Sequence, residues 1–397
     1  MASTRHDATD GAAPLSATRS IVVVSDRIDW RSDPVPADHA RRVSPPSSEQ
    51  PWRVAEGDPP EVTGGYLERL PLACIAAGMI DRAEIWHHQI GGDPAPFAAA
   101  NTHLRYRAFM LDAPEAPFDN RDMLAFVHAF GAPHILVVYG LGVSEALLAA
   151  CANSIILYNS IDAPTLRVPP GVSARFDLVL TGAQWQSDEV EARHPGMRTA
   201  IMPVGPEFAA IDQFRPLGGP KDYDLIYVAA AQAYKRHDIL LDALDRLPRD
   251  VRALCVFGYG EDAGDLRRRI AERSLSVDCI GPPGVPFEEV NRLMNRARFG
   301  VVCGRDDGAP AIITEYMLAG LPVLANAELA CGRQFILPET GRLATSEAFA
   351  EAIMAMRADA AGFTPRAAVL ARWAWPHTIL RLRPLLDAIA ARKNIAC

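Results

Sequence analysis

Two carboxylates and a lysine carry the clearest chemical signal in this 397-residue chain. Asp307 and Glu315 stand with seven residues between them in Arg305–Asn326, RDDGAPAIITEYMLAGLPVLAN. Between them the order is a loop (Asp307, Gly308, Ala309), a proline (Pro310) that suits a first helical turn, and a helical spacing from Ala311 to Ala319. Asp306, Asp307 and Gly308 are residue types that cap helices, Gly320 suits the position after the last turn, and Pro322 stops continuation. Phe299–Cys303 before it and Val323–Ala325 after it are short apolar runs of strand type. A helix opening at the end of a parallel strand offers free N–H groups and the positive end of a dipole to an anion such as a phosphate. Carboxylates beside such an anion are suited to hydroxyl recognition, as on a ribose or a sugar. The backbone around Ala309, Pro310 and Ala311 is then expected against the same ligand. A cation for the anion is available in Tyr234-Lys235-Arg236, ahead of the helical pattern DILLDALDRL. Lys235 is the first choice, with Arg236 beside it.

The elements that position these residues alternate strand and helix through the whole chain, the mark of doubly wound parallel sheets. Strand-type runs fall at Ser20–Ser25, Ala83–Trp86, Leu104–Met110, His134–Tyr139, Ser154–Leu157, Asp177–Thr181 and Thr199–Pro203, and a second series starts at Tyr223. A Pro/Gly-rich stretch, Gly205–Lys221, separates the two series and reads as a hinge. The boundaries expected are a leader at 1–18, a first domain at 19–205 with a loop insertion at 29–60, a second domain at 206–375 and a terminal helix at 376–397. Gly64-Gly65 opens a helix read at Tyr66–Gly78 and lets backbone approach a phosphate. Gly258 and Gly260 follow one strand of the second series, and the loop Gly281–Pro286, with Pro283 and Val285, follows the next.

The stretch at 307–323 resembles the Glu-x7-Glu signature of retaining GT-B glycosyltransferases, above all family four. Asp307-Gly308-Ala309-Pro310, Glu315-Tyr316 and Gly320-Leu321-Pro322-Val323 carry the likeness, with Asp in place of the first Glu. The resemblance implies a GT-B fold: two Rossmann-like doubly wound domains facing a cleft, with a C-terminal helix crossing back to the first domain. It implies transfer of a sugar from a nucleotide diphosphate sugar to a glycan, lipid-linked or small-molecule acceptor. By the same resemblance Lys235 binds the diphosphate and Glu315 the ribose hydroxyls. Asp307 takes the sugar hydroxyls, the Gly281–Pro286 loop holds the base, and Gly64, Gly65, Gly258 and Gly260 shape the donor site. Two departures stand out. Ala229-Ala230-Ala231-Gln232 lies where the family has an arginine ahead of its lysine. Asn159 occupies the place of the family's first-domain histidine, able to bond a sugar hydroxyl but not to carry a proton charge. His87 and His88, read as ending a strand, are offered toward the acceptor.

Composition narrows the classes. A net charge of −8 argues against nucleic acid as a partner and supplies no polybasic anchor, although peripheral membrane contact is left open. Seven cysteines without a CxxC, most in apolar runs, fit reduced thiols and a cytoplasmic protein. No metal-ligand spacing and no clear DxD motif appear, so neither a metal nor a resident cofactor is expected. No G-x-G-x-x-G follows Ser20–Ser25, which disfavours a nicotinamide-dependent oxidoreductase. The alternative kept beside the transferase is a catalytically degenerate GT-B protein acting as a sugar-nucleotide-binding or partner subunit.

Overall fold

A computed structural model describes residues 19–30, 58–92, 103–160 and 165–395. The expected leader, and the expected insertion from 31 to 57, lie outside the described residues.

The first series runs β1 (Ser20–Trp30), α1 (Arg69–Ala76), β2 (Arg82–Ile90), β3 (Leu104–Met110), α2 (Arg121–Phe130), β4 (Ile135–Tyr139), α3 (Glu145–Ala150), β5 (Ile155–Asn159), α4 (Pro170–Ser173), β6 (Leu178–Thr181), α5 (Gln184–Arg193) and β7 (Thr199–Ile201). Its strands form one seven-stranded parallel sheet in the order β3-β2-β1-β4-β5-β6-β7. The run IVVV in β1 is apolar at every position because helices cover both faces of the sheet. On one face α1 packs through Leu70 and Cys74. On the other, α2, α3 and α5 pack through Met123, Phe126, Leu147 and Val190.

The second series runs β8 (Tyr223–Val228), α6 (His237–Asp245), β9 (Ala253–Val256), α7 (Ala263–Glu272), β10 (Val277–Ile280), α8 (Phe287–Asn295), β11 (Ala297–Val302), α9 (Ile312–Leu318), β12 (Val323–Asn326), β13 (Gly341–Ala344), α10 (Phe349–Asp359), α11 (Pro365–Arg372) and α12 (Trp375–Lys393). Its sheet is parallel and six-stranded, β10-β9-β8-β11-β12-β13. The strand order reverses between β8 and β11, the place where open parallel sheets take ligands.

The helix α12 packs back on the first sheet. Ile379, Leu382, Leu386 and Ile389 join the apolar layer of α1. Lys393 Nζ and Arg392 Nη2 close on Asp177 at 2.7 and 3.0 Å. Two doubly wound lobes with this crossing helix are the GT-B architecture expected from the sequence.

Several local expectations change. β1 does not stop at Ser25 but continues to Trp30 through a register shift between Val24 and Ile28, so Asp29 and Trp30 belong to the strand rather than the insertion. β2 extends to Ile90, because it pairs with β1 on one side and β3 on the other along its whole length. α1 starts at Arg69, three residues later than read. β13 and α11 were not anticipated.

Candidate active site between the lobes

The βαβ unit at the chemical signature forms as read: β11, a loop, α9, a tight turn and β12, with β11 and β12 paired in parallel. Gly320 follows the last turn with φ +88°, the left-handed conformation that favours glycine there. The cap reading is corrected. α9 is seven residues long, begins at Ile312, and its N-cap position is Ala311, which makes no side-chain cap. Asp307 does not cap the helix, because a lysine charge claims its carboxylate instead. Ile313 to Leu318 are all buried, since α9 lies under both the sheet and the hinge segment. Thr314 Oγ1 donates to Pro206 O at 2.9 Å.

Lys235 ends a short 3-10 turn, Ala233–Lys235, that follows β8. Its ammonium pairs with Asp307 Oδ2 and lies 4.7 Å from the centre of the Tyr234 ring. The structure thus brings together two residues 72 positions apart. Tyr227 Oη, whose proton burial holds firmly, donates to Lys235 O at 2.5 Å. That bond fixes the turn against β8. Arg236 sits at φ +51° and makes a two-pronged bond to Asp238, 2.9 Å from Nε and 2.8 Å from Nη2. Its charge is directed at α6 rather than at Asp307.

Glu315 is met by Arg69 of the other lobe, Nη2 to Oε1 at 2.5 Å. Arg69 is fully buried on α1. Its Nε donates to Gly64 O at 3.0 Å and its Nη1 to Gly205 O at 3.1 Å. A buried guanidinium needs a carboxylate, but its partner lies 246 positions away and no local pattern names it. The one available signal was an arginine directly beside the apolar Leu70 and Leu72 in the helix after the Gly-Gly.

Gly64 and Gly65 are placed beside this pair, and their amides are already engaged. Gly64 N–H donates to Gln213 Oε1 and Gly65 N–H to Glu68 Oε2, each at 2.7 Å.

The loops after β8, β9 and β10 converge at one edge. Ala231 N–H donates to Tyr259 O at 2.7 Å. Gly260, at φ +123°, has room for no side chain, since a Cβ would stand 2.2 Å from Ala231 O. Gly284 lies close to Gly258, 3.1 Å from a Cβ to its Cα. Pro283 and Val285 flank that glycine. Gly258, Gly260 and the Gly281–Pro286 loop therefore lie against the start of the loop that carries Lys235.

A segment not singled out from the sequence, Ala330–Gln334, closes the other side. Cys331 pairs with Gly308 through an isolated bridge. Trp185 Nε1 donates to Ala330 O at 2.9 Å, and Gln334 Nε2 to Gly182 O at 2.8 Å. Both join α5 and the end of β6 to the second lobe. Gly182 lies so close that a Cβ would be 2.9 Å from that of Cys331 and 3.3 Å from that of Ala309. Ala309 has φ +74°, an uncommon conformation for a residue with a side chain. Gly205 approaches Ala311 in the same way, 3.2 Å between Cβ atoms if it had one.

On the first lobe, Asn159 ends β5, next to β6 in the sheet. It is fully buried, and among the described residues neither atom of its amide has a hydrogen-bond partner. His88 is not at a strand end. It is fully buried, its ring centre 4.5 Å from that of Phe118 and its Nδ1 3.2 Å from Asn120 Nδ2. Burial and the neighbouring His87 push its pKa down to about 3. His87 is likewise lowered to about 4 by burial. A neutral histidine packed in the core does not face an acceptor.

Among the described residues no group of three His, Cys, Asp or Glu side chains is arranged to hold a metal, and no helix is long and apolar enough to cross a membrane.

Two Rossmann-like lobes that meet across carboxylates, a lysine and glycine-lined loops define a protein of GT-B glycosyltransferase architecture. Residues 211–362, within the second lobe, match the family described as Glycosyl transferases group 1. Solved structures agree on the fold. Sucrose-phosphate synthase from Thermosynechococcus elongatus superimposes with a TM-score of 0.65 at 19% identity, over 94% of this chain and 100% of that one. HepE from Anabaena, solved with UDP and glucose, gives 0.63 at 16% identity over 93% and 100%. The lipopolysaccharide outer core galactosyltransferase WaaB, in its apo form, gives 0.59 at 13% identity over 93% and 99%. No curated protein matches in sequence.

Proposed function

We propose that this chain is a retaining glycosyltransferase that moves a sugar from a nucleotide diphosphate sugar to a glycan, lipid-linked or small-molecule acceptor without a metal. The observation that carries the reading is the pairing of Lys235 with Asp307 on the loop that leads directly to Glu315, at the strand-order reversal of the group 1 domain. On this reading the diphosphate meets the Lys235 ammonium, which offsets charge on the leaving group where a metal would otherwise stand. Asp307 and Glu315 accept hydrogen bonds from donor hydroxyls. The Gly258–Gly260 and Gly281–Pro286 loops hold the base through backbone groups. The acceptor enters from the first lobe near Asn159, whose unbonded amide is suited to a sugar hydroxyl. The acceptor hydroxyl attacks the anomeric carbon from the side the phosphate leaves. The C–O bond to phosphate breaks, the new glycosidic bond forms, and the departing phosphate oxygen takes the proton, so no side chain has to act as base. A cytoplasmic location goes with this reading.

A second reading has its own support. Both carboxylates are already ion-paired within the protein, and no arginine precedes Lys235 at Ala229–Gln232. A sugar-nucleotide-binding partner subunit without turnover fits those facts.

Incubation with UDP-, GDP- and ADP-sugars and a mixed acceptor panel separates the two. The transferase reading expects free nucleoside diphosphate and an anomerically retained product, at a rate that EDTA leaves intact. Binding of nucleotide without release favours the subunit, and complete loss of rate in EDTA overturns the metal-free mechanism.

A further inference from the structure

We infer that Arg69 is a positioning residue for Glu315, supplied across the cleft, and that it makes the hydroxyl-binding carboxylate of the second lobe complete only when the first lobe is docked. The inference rests on the reading of Glu315 as the donor-hydroxyl ligand. Arg69 belongs to the first lobe, whereas Glu315 belongs to the second.

Three bonds carry the argument. Arg69 spends Nη2 on Glu315, Nε on Gly64 O and Nη1 on Gly205 O. A guanidinium is a rigid planar fork, so bonds from all three nitrogens leave it one orientation. Two anchors are the Gly-Gly loop at the start of α1 and the first residue of the hinge stretch. The third is a carboxylate of α9. Any opening of the lobes that moves α9 from α1 must break the third bond while the first two persist. Gln213 of the hinge stretch adds a parallel tie, accepting from Gly64 N–H at 2.7 Å. Glu315 Oε1 is therefore occupied in the docked state and Oε2 is left for a ligand. The arginine also removes the cost of an isolated buried carboxylate. Without it Glu315 would turn toward water, and its acceptor lone pairs would no longer be held between the lobes. Ligand binding at Glu315 and docking of the lobes are then linked, each favouring the other to the same degree.

The test uses the full chain as Arg69→Met, Arg69→Lys, Glu315→Gln and the double variant Arg69→Met/Glu315→Gln. UDP affinity is measured by calorimetry and the radius of gyration by small-angle X-ray scattering. Arg69→Met is expected to weaken UDP by about 5- to 150-fold, the usual range for coupled sites, and to enlarge the radius. Arg69→Lys should recover part of the affinity. The double variant should bind no more weakly than Glu315→Gln alone, because Arg69 acts through that carboxylate. If Arg69→Met fails to fold, the double variant, which strands no charge, carries the comparison. UDP binding unchanged in Arg69→Met but lost in Glu315→Gln overturns the inference. Wild type that binds none of UDP, GDP or ADP refutes the donor reading instead. In that case an enlarged radius in Arg69→Met still supports the pairing as an interlobe tie, and an unchanged radius overturns it.

Discussion

Gly300→Ala tests whether the placement of the candidate site depends on the packing beneath α9. Gly300 lies in β11, paired with Ile226 on one side and Val323 on the other. A Cβ there would stand 2.3 Å from Cδ2, 2.4 Å from Cγ and 2.7 Å from Cδ1 of Tyr316. Carbon atoms in good contact keep about 3.5–4.0 Å, so the ring must retreat by about 1 Å. It cannot do so freely. Tyr316 is fully buried, and its hydroxyl accepts the Val228 N–H at 2.7 Å at the end of β8. The strain passes along α9, in which Glu315 directly precedes Tyr316. Overpacking of this kind costs about 1–3 kcal/mol. For a lobe of this size that lowers the melting temperature by about 2–12 °C. A site residue displaced by about 1 Å can lose about a hundredfold in rate. Differential scanning fluorimetry reads the first effect, and initial rates of nucleoside diphosphate release read the second. Gly264→Ala is the control, since nothing lies within 4 Å of a Cβ there and an alanine suits the interior of α7. If Gly300→Ala melts within about 1 °C of wild type and turns over normally, the packing argument is wrong.

Three further outcomes are expected. Lys235→Ala should weaken nucleoside diphosphate binding by about 10- to 150-fold, the worth of one charged hydrogen bond, with part restored in Lys235→Arg; equal affinity in calorimetry would remove Lys235 from the diphosphate site. Glu315→Gln should cut transfer by a similar factor while the protein stays folded, and wild-type turnover would refute its role. Glu315→Ala is the poorer test, because it strands the fully buried Arg69 at a cost of about 3–5 kcal/mol. The buried histidines set an acid limit: burial lowers the folded-state pKa values of His88 (to about 3), His87 (to about 4) and His237 (to about 4) below the ordinary histidine value of 6.5, so the unfolded chain binds more protons between those values. Their stabilisation is complete above pH 6.5 and is lost as pH falls toward 4 and 3. Urea midpoints measured from pH 7 to pH 4 should fall, and less steeply in His88→Gln; parallel curves would contradict the burial argument.

How much of this could be read in the chain depends on how local each cause is. The unit from β11 to β12 was legible because its strand runs, its turn glycine and its carboxylates lie within a few turns of one another. The alternation behind both sheets was legible because parallel strands covered on both faces are apolar throughout. Lys235 was found beside the right element, but its pairing with Asp307 required the order β8-β11. Arg69 and the Ala330–Gln334 segment were missed because their partners are far along the chain and ordinary in type. His88 was misplaced for a related reason: the length of β2 is set by its two neighbours, and its own residues do not mark where it ends. Asp307 looked like a cap until the lysine from another loop was in place.

The return of α12 to the first sheet has a consequence for how the molecule comes into being. A chain that has emerged only as far as the hinge still lacks Ile379, Leu382, Leu386 and Ile389, and the apolar layer around α1 stands open to water until the final turns are made. The half made first is therefore finished last. Dividing the gene at the hinge would yield two pieces, one missing its cover and the other carrying a sticky tail with nothing to rest on.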